Sequence, residues 1–278
     1  MFLKHPYEKN QVMFFDSASI AIADIFAAIR RYNLVGMLGW QDVLQRYRRS
    51  TLGPFWLTIS MGVMIGTIGA VFSQIFKASL EEFLPFLALG IILWSFSLSL
   101  ITDGCNGFIA AEGIIKQLPI PLFVHILRLA WRNVLILGHN LIIFPLVLVS
   151  VGKPVSWLAL ISVAGFVLLV INLVWIALFL SVFCARYRDM PQIVGSVLQV
   201  FFYLTPIMWM PAMLPERASL FLLDLNPFYH FLEIVRAPLL GQLPSQLNWI
   251  VSLGLGVVGW IVVLVFYGRY KCRVAYWL

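Results

Sequence analysis

The chain has 278 residues, 62% of them hydrophobic and 11% charged, with a formal net charge of +7. A soluble domain carries roughly a quarter charged residues, so this composition excludes one and predicts an integral membrane protein. The positive balance does not point to nucleic acid, because the basic residues gather at the ends of apolar runs, as anchors on the cytoplasmic side of a membrane do.

Residues 1–16 read as a poorly ordered start without the compact apolar core of a cleavable signal peptide. From Ser17 to Arg49 the pattern is helical and amphipathic in two pieces. Ile22, Ile25, Phe26 and Ile29 form one stripe; Leu34, Met37, Trp40, Leu44 and Tyr47 form the next. Asp24, Arg30, Asp42, Arg46 and Arg49 lie opposite. Two readings are open: a helix in the plane of the membrane interface, or a soluble helix packed on its own chain. The first is favoured because an apolar run comes directly afterwards. Arg46, Arg48 and Arg49 form a cationic cluster at the junction, facing the headgroups, and Gly53-Pro54 starts a new helix. Residues 1–54 are therefore predicted to be a cytoplasmic arm.

Six crossings are predicted within 55–268, at 55–76, 83–102, 129–151, 157–184, 191–210 and 247–267. The first has Gly62 and Gly66 at a spacing that lets helices approach closely, within the chain or between copies. Residues 103–122 are too polar and glycine-rich to cross. There Glu112 and Lys116 form an i,i+4 pair, and Pro119 and Pro121 close a short helix held under the membrane. His125, Arg128, Arg132 and His139 share one face of the third crossing. The arginines either snorkel to cytoplasmic headgroups or form a cationic vestibule for an anionic group such as pyrophosphate. Arg186-Tyr-Arg-Asp189 is an inward anchor. Pro206 is expected to kink the fifth crossing near its outer end. Residues 211–238 hold no full crossing; their lengths suit two half-helices dipping in from the outer face, or a plain outer loop. Residues 269–278 are a basic cytoplasmic tail. Of 19 Lys and Arg, only Lys77, Lys153, Arg217 and Arg236 fall on the outer side, which places both ends in the cytoplasm. Cys105, Cys184 and Cys272 then face a reducing compartment as free thiols, without metal-ligand spacing.

Absent chemistry narrows the function. Gly254, Gly256 and Gly259 match a dinucleotide fingerprint by letter but lie inside a crossing with no acidic residue after them. No phosphate-binding loop, zinc-protease motif or nucleophile elbow occurs. None of the twelve acidic residues falls mid-membrane, against an ion-coupled carrier. Energy for uphill transport would have to come from a partner.

Four stretches together resemble the membrane subunit of ABC type-2 exporters, especially those of bacterial O-antigen, capsule and teichoic acid. They are Tyr47-Arg-Arg-Ser-Thr-Leu-Gly-Pro-Phe-Trp56, Ile114-Ile-Lys-Gln-Leu-Pro-Ile-Pro121, Ala185-Arg-Tyr-Arg-Asp189 and Leu225-Asn-Pro-Phe-Tyr-His-Phe-Leu-Glu-Ile-Val-Arg236. The resemblance implies an all-α polytopic fold in the bacterial cytoplasmic membrane, with an interface helix and re-entrant outer half-helices. It implies a homodimer paired with two ATPase subunits, with ATP and Mg on the partner, no cofactor in this chain and no nucleic acid. The ATPase-coupling residues would be Asp103, Asn106, Glu112, Lys116, Arg186, Arg188 and Asp189. Arg46, Arg48, Arg49, Arg128 and Arg132 would serve the interface helix and headgroups. Asn226, Pro227, Tyr229, His230, Glu233 and Arg236 would belong to the re-entrant exit segment. The cargo would be a polyprenyl-diphosphate-linked polysaccharide, with the arginine-rich arm leaning toward O-antigen or teichoic acid.

The residues agree on physical grounds. A conduit for sugars needs aromatic faces and uncharged hydrogen-bonding groups, and Gln199, Phe202, Tyr203, Thr205 and Trp209 offer that mix, with core packing as the competing reading. The same architecture could serve a drug or lipid exporter. The rival from another class is an intramembrane transferase acting on lipid-linked sugars, with Asp103, Glu233 and His230 as its only candidate catalytic groups.

Overall fold

The computed structural model describes residues 6–47, 55–213 and 220–278, and side chains within 16–45, 56–212 and 222–278. The expectations for Arg48, Arg49, Gly53-Pro54, Glu216 and Arg217 lie outside the described residues, as does that for the Arg46 side chain. The described residues are helical and contain no strand. In order the helices are α1 (Pro6–Ile29), α2 (Tyr32–Tyr47), α3 (Phe55–Phe76), α4 (Leu80–Asn106), α5 (Glu112–Gln117), α6 (Phe123–Leu141), α7 (Ile143–Val151), α8 (Ile161–Arg186), α9 (Met190–Leu204), α10 (Pro227–Leu239) and α11 (Gln246–Trp277). Short 3₁₀ turns at Trp157–Leu160 and Pro211–Met213 and a π turn at Leu220–Asp224 join them. Among the described residues five stretches are long and apolar enough to cross a membrane: Trp56–Phe76, Leu80–Asn106, Phe123–Val151, Trp157–Arg186 and Gln246–Trp277. The chain is a multi-pass membrane protein.

The helices sort around α4. It packs against α3, α6, α7, α8, α9 and α10, and Phe83, Leu87, Ile92 and Leu100 on it are fully buried. By contrast α3 and α9 each rest on the bundle by one side, with Val63, Ile75, Val197 and Val200 exposed. Among the described residues nothing lies within 4 Å of the Cβ positions of Gly62 or Gly66, so no described helix packs closely on that pair.

Prolines set two breaks. Pro145 has no N–H to donate and its ring would strike the carbonyl of Leu141, so the predicted crossing at 129–151 divides at Ile142 into α6 and α7. Pro206 ends α9 rather than kinking it. The residue before a proline is pushed out of the helical region, and Thr205 is extended at φ −86°, ψ 136°. The predicted crossing at 191–210 is therefore a 15-residue helix, about 22 Å long, and then non-helical chain.

Close backbone contacts hold α8 against α10 and α1 against α11. A Cβ on Gly165 would lie 2.1 Å from the carbonyl oxygen of Ile234, and one on Gly268 would lie 1.7 Å from that of Ser17. Without a hydrophobic drive between helices in lipid, such small-residue crossings supply the dispersion contact that fixes register. We expect Gly165→Ala to force α8 and α10 apart at a cost of about 1–3 kcal/mol. Gly254→Ala, with nothing within 4 Å, should be neutral or slightly stabilising. Thermal midpoints of the purified protein in nanodiscs check this; equal midpoints for the two variants would contradict the packing argument.

Candidate functional site

The arm docks through its small and acidic face. Ala21, Ala28, Val35 and Val43 are buried, while Ile22, Phe26, Ile29, Met37, Trp40 and Leu44 are exposed. The apolar stripe thus points away from the chain, and the acids point into it. Asp24 is buried and accepts from three groups: the backbone N–H of Phe123 (3.0 Å), the hydroxyl of Tyr267 (2.6 Å) and the ammonium of Lys271 (2.7 Å). One carboxylate so ties α1 to the first turn of α6 and to α11.

Asp42 does the same for α2. Arg128 binds it with both Nε and Nη2, and Arg132 reaches it at 3.5 Å. Arg132 also pairs with Asp103 (2.6 Å), which accepts from Asn133 (2.8 Å). Asp103 and Asn106 form the last turn of α4 rather than part of a separate loop, and Asn106 bonds back to the carbonyl of Thr102. The predicted basic face of α6 is therefore not an open cationic vestibule: its two guanidiniums meet two carboxylates. The helix itself carries no signal of this, because the acids arrive from α2 and α4. His139 bonds to the carbonyl of Leu135, and His125 is buried with neither ring nitrogen partnered among the described residues.

Beyond α4, Glu112 and Lys116 form their i,i+4 pair at 2.7 Å on α5. The Lys116 ammonium holds the Glu112 carboxyl below its usual range. That helical support is present above the ordinary carboxylate pKa and is lost as pH falls through the depressed value. Arg188 donates to the carbonyls of Trp277 and Leu278, and Arg186 stacks over the rings of Tyr187 and Trp277. Exposed Asp189 precedes α9 without capping it. These groups share one end of the bundle with the arm.

At the opposite end α10 is knotted to its neighbours. Asn226 caps it by accepting from the N–H groups of Phe228 and Tyr229, and donates to Thr205 Oγ1 at 2.9 Å. Pro227 takes the first helical position, where no N–H is needed. His230 meets Asn248 on α11 at 2.8 Å and the Asp224 carbonyl at 2.9 Å, with the half-buried Tyr229 ring edge-on beside it. Arg236 is fully buried: it binds Glu233, donates to the Pro206 carbonyl at 2.6 Å and stacks on Phe86 at 3.9 Å. Each candidate group for a transferase, Asp103, Glu233 and His230, is thus engaged by a structural partner.

Two cavities flank α3. One, about 280 Å³, lies between α3, α4 and α9 and is lined by Trp94, Ser95, Gln199 and Phe202 among others. The second, about 320 Å³, lies between α3, α4 and α6 and is lined by Ser60, Ser95, Ser99, Asn133 and Asn140 with apolar neighbours. Of the predicted conduit residues, Gln199 and Phe202 line the first cavity. Tyr203 is exposed beside it, and Trp209 donates to the Tyr203 carbonyl. Thr205 does not belong with them: it is fully buried against Asn226, because the end of α9 turns it inward.

Residues 33–240 match the family model described as ABC-2 type transporter. The chain belongs to the ABC-2 type transporter family. It is a membrane permease, a transport subunit of a family whose permeases function with ATPase subunits. Two proteins of Klebsiella pneumoniae named O-antigen export system permease protein RfbA are 26% and 25% identical to this permease, over 70% of its length and 76% of theirs. The matched stretch begins in α2 and ends after α10, so it takes in the Asp42 network and both cavities but not Asp24, Tyr267 or Lys271.

Sequence reasoning missed the Asp24 cluster. Asp24→Ala leaves a buried tyrosine hydroxyl, a backbone N–H and an ammonium without their acceptor, and should cost about 3–5 kcal/mol. Asp24→Asn retains an acceptor and should cost less. Combined with Lys271→Met it should lose less than the sum of the single changes. Thermal midpoints of the four variants test this; a parent-like midpoint for Asp24→Ala would remove the pin from the account.

Proposed function

We propose that this permease is the transmembrane subunit of an ATP-driven exporter. It carries a polyprenyl-diphosphate-linked polysaccharide of the O-antigen type across the bacterial cytoplasmic membrane. The observation that carries the reading is the lining of the α3–α4–α9 cavity, where indole and phenyl faces stand beside an amide and a hydroxyl with no charge among the described residues. Sugars present apolar C–H faces and many hydroxyls, and this lining answers both. The names of the two Klebsiella relatives support the same cargo class.

In this reading α9 and the extended chain after it make a sixth crossing, and both termini lie in the cytoplasm. The exposed stripe of the arm beds into the inner leaflet while Asp24 and Asp42 hold its other face. The end of α4, α5 and the Arg186–Asp189 loop receive the ATPase, and ATP and Mg bind on that partner. The segment around α10 dips in from the outer face and borders the exit. Two copies complete the path, and the open Gly62/Gly66 face of α3 is available to the second.

The test is a tagged chain expressed with a candidate partner ATPase from the same organism. The two should co-purify, deletion of the permease should remove surface polysaccharide, and an ATPase-dead partner should reproduce that loss. Intact surface polysaccharide with lost drug resistance would instead assign a drug exporter. Tags on both termini should be accessible only after the membrane is permeabilised; a terminus reached from outside would overturn the six-crossing arrangement.

A further inference from the structure

The cavity between α3, α4 and α6 differs from its neighbour. Ser60, Ser95, Ser99, Asn133 and Asn140 line it, and no charged side chain among the described residues does. Polar groups inside a membrane bundle are costly unless satisfied, and these are only partly so. The hydroxyls of Ser95 and Ser99 bond to no other group among the described residues. Asn140 accepts from Thr58 at 3.3 Å through Oδ1, while its Nδ2 has no partner there. Ser60 donates to the Leu57 carbonyl and keeps its acceptor capacity.

This donor and acceptor set is neutral, and it faces both ways. A phosphate would need a cation, and no Lys or Arg is among the described lining residues; Arg132, on the same helix as Asn133, pairs through its two terminal nitrogens with Asp42 and Asp103. An acyl chain would leave the amide and hydroxyls unsatisfied. A sugar ring meets the set, because each of its hydroxyls both donates and accepts. Ser95 and Met64 line this cavity and the aromatic one alike, so a ligand in one abuts a ligand in the other.

We propose that the α3–α4–α6 slot is a binding site for one uncharged sugar unit of the exported chain, held by Ser95, Ser99 and Asn140, while Trp94 and Phe202 receive its neighbour. The assignment rests on the proposed export of a lipid-linked polysaccharide.

The experiment uses the full permease–ATPase complex in proteoliposomes, on a Cys272→Ser background because that thiol is exposed whereas Cys105 and Cys184 are buried. Ser95→Cys is labelled with a small neutral thiol reagent, in the presence of a polyprenyl diphosphate bearing a disaccharide or of the same lipid without sugar. The glycosylated lipid should slow labelling about tenfold, the change expected from occupancy well above the dissociation constant, and the bare lipid should not. Equal protection by both lipids assigns the slot to the tail or diphosphate and overturns the proposal, as does protection by neither. As a second measurement, Ser99→Ala with Asn140→Leu should lower transport about tenfold while leaving co-purification with the ATPase intact; unchanged transport overturns the proposal. Transport of the glycosylated lipid by the parent complex is the control that separates the two readings. Its absence sinks the export assignment, whereas its presence without protection at Ser95→Cys sinks only the slot.

Discussion

A carboxylate near a bilayer has few places to go, and both Asp24 and Asp42 turn inward. Each finds cations and N–H or O–H donors on helices distant in sequence, which offset the cost of its burial. Once they are fixed, the rotation of α1 and α2 is fixed too. The large apolar residues on the other face then have to point away from the bundle, and small residues such as Ala21 and Ala28 take the contact side. The amphipathic arm is therefore oriented by its charges, and its exposed hydrophobic stripe is a consequence.

The same rule runs through the bundle. Polar groups are stitched across two further helix pairs: Asn172 on α8 donates to the Ser252 carbonyl on α11, and Ser181 on α8 donates to the Gly104 carbonyl on α4. Arg236 is the extreme case, fully buried yet provided with a carboxylate, a carbonyl and an aromatic face. Against that background the hydroxyls of Ser95 and Ser99, without a partner among the described residues, are notable because both border a cavity.

Much of the helical layout is legible in the sequence because it is local. Long apolar runs mark α3, α4, α8 and α11; the Glu112/Lys116 spacing before Pro119 marks α5; Asn226-Pro227 marks the start of α10. The hidden part depends on partners far away in the chain. Asp24 meets Tyr267 across 243 positions and Phe123 across 99, and no period or composition window spans such distances. Nor can hydropathy say that α4 is central and α3 peripheral, since lipid-facing and protein-facing sides are both apolar. Thr205 groups with Tyr203 as conduit lining only if the helix is carried on past Leu204, whereas Pro206 pushes the residue before it into extended backbone. Pro145 sits inside an otherwise continuous apolar run, and there the backbone obeys the missing N–H rather than the hydropathy.

The position of α4 gives the architecture a mechanical sense. One helix carries Asp103 at the arm end, which reaches Arg132 on α6, and Ser95 nearer its middle, which borders both cavities. It is gripped on nearly every side, whereas α3 and α9, which wall the cavities, are each held on one side only. Loosely held elements open at lower free energy than the core they rest on. The elements that part first are therefore α3 and α9, widening the furrow between them while α4 and the arm stay in place. The paired charges of Asp42, Arg128, Arg132 and Asp103 sit between the two regions and join the end of α4 to α2 and α6. The arm and the furrow are thus joined, in this arrangement, through four side chains and one rigid helix.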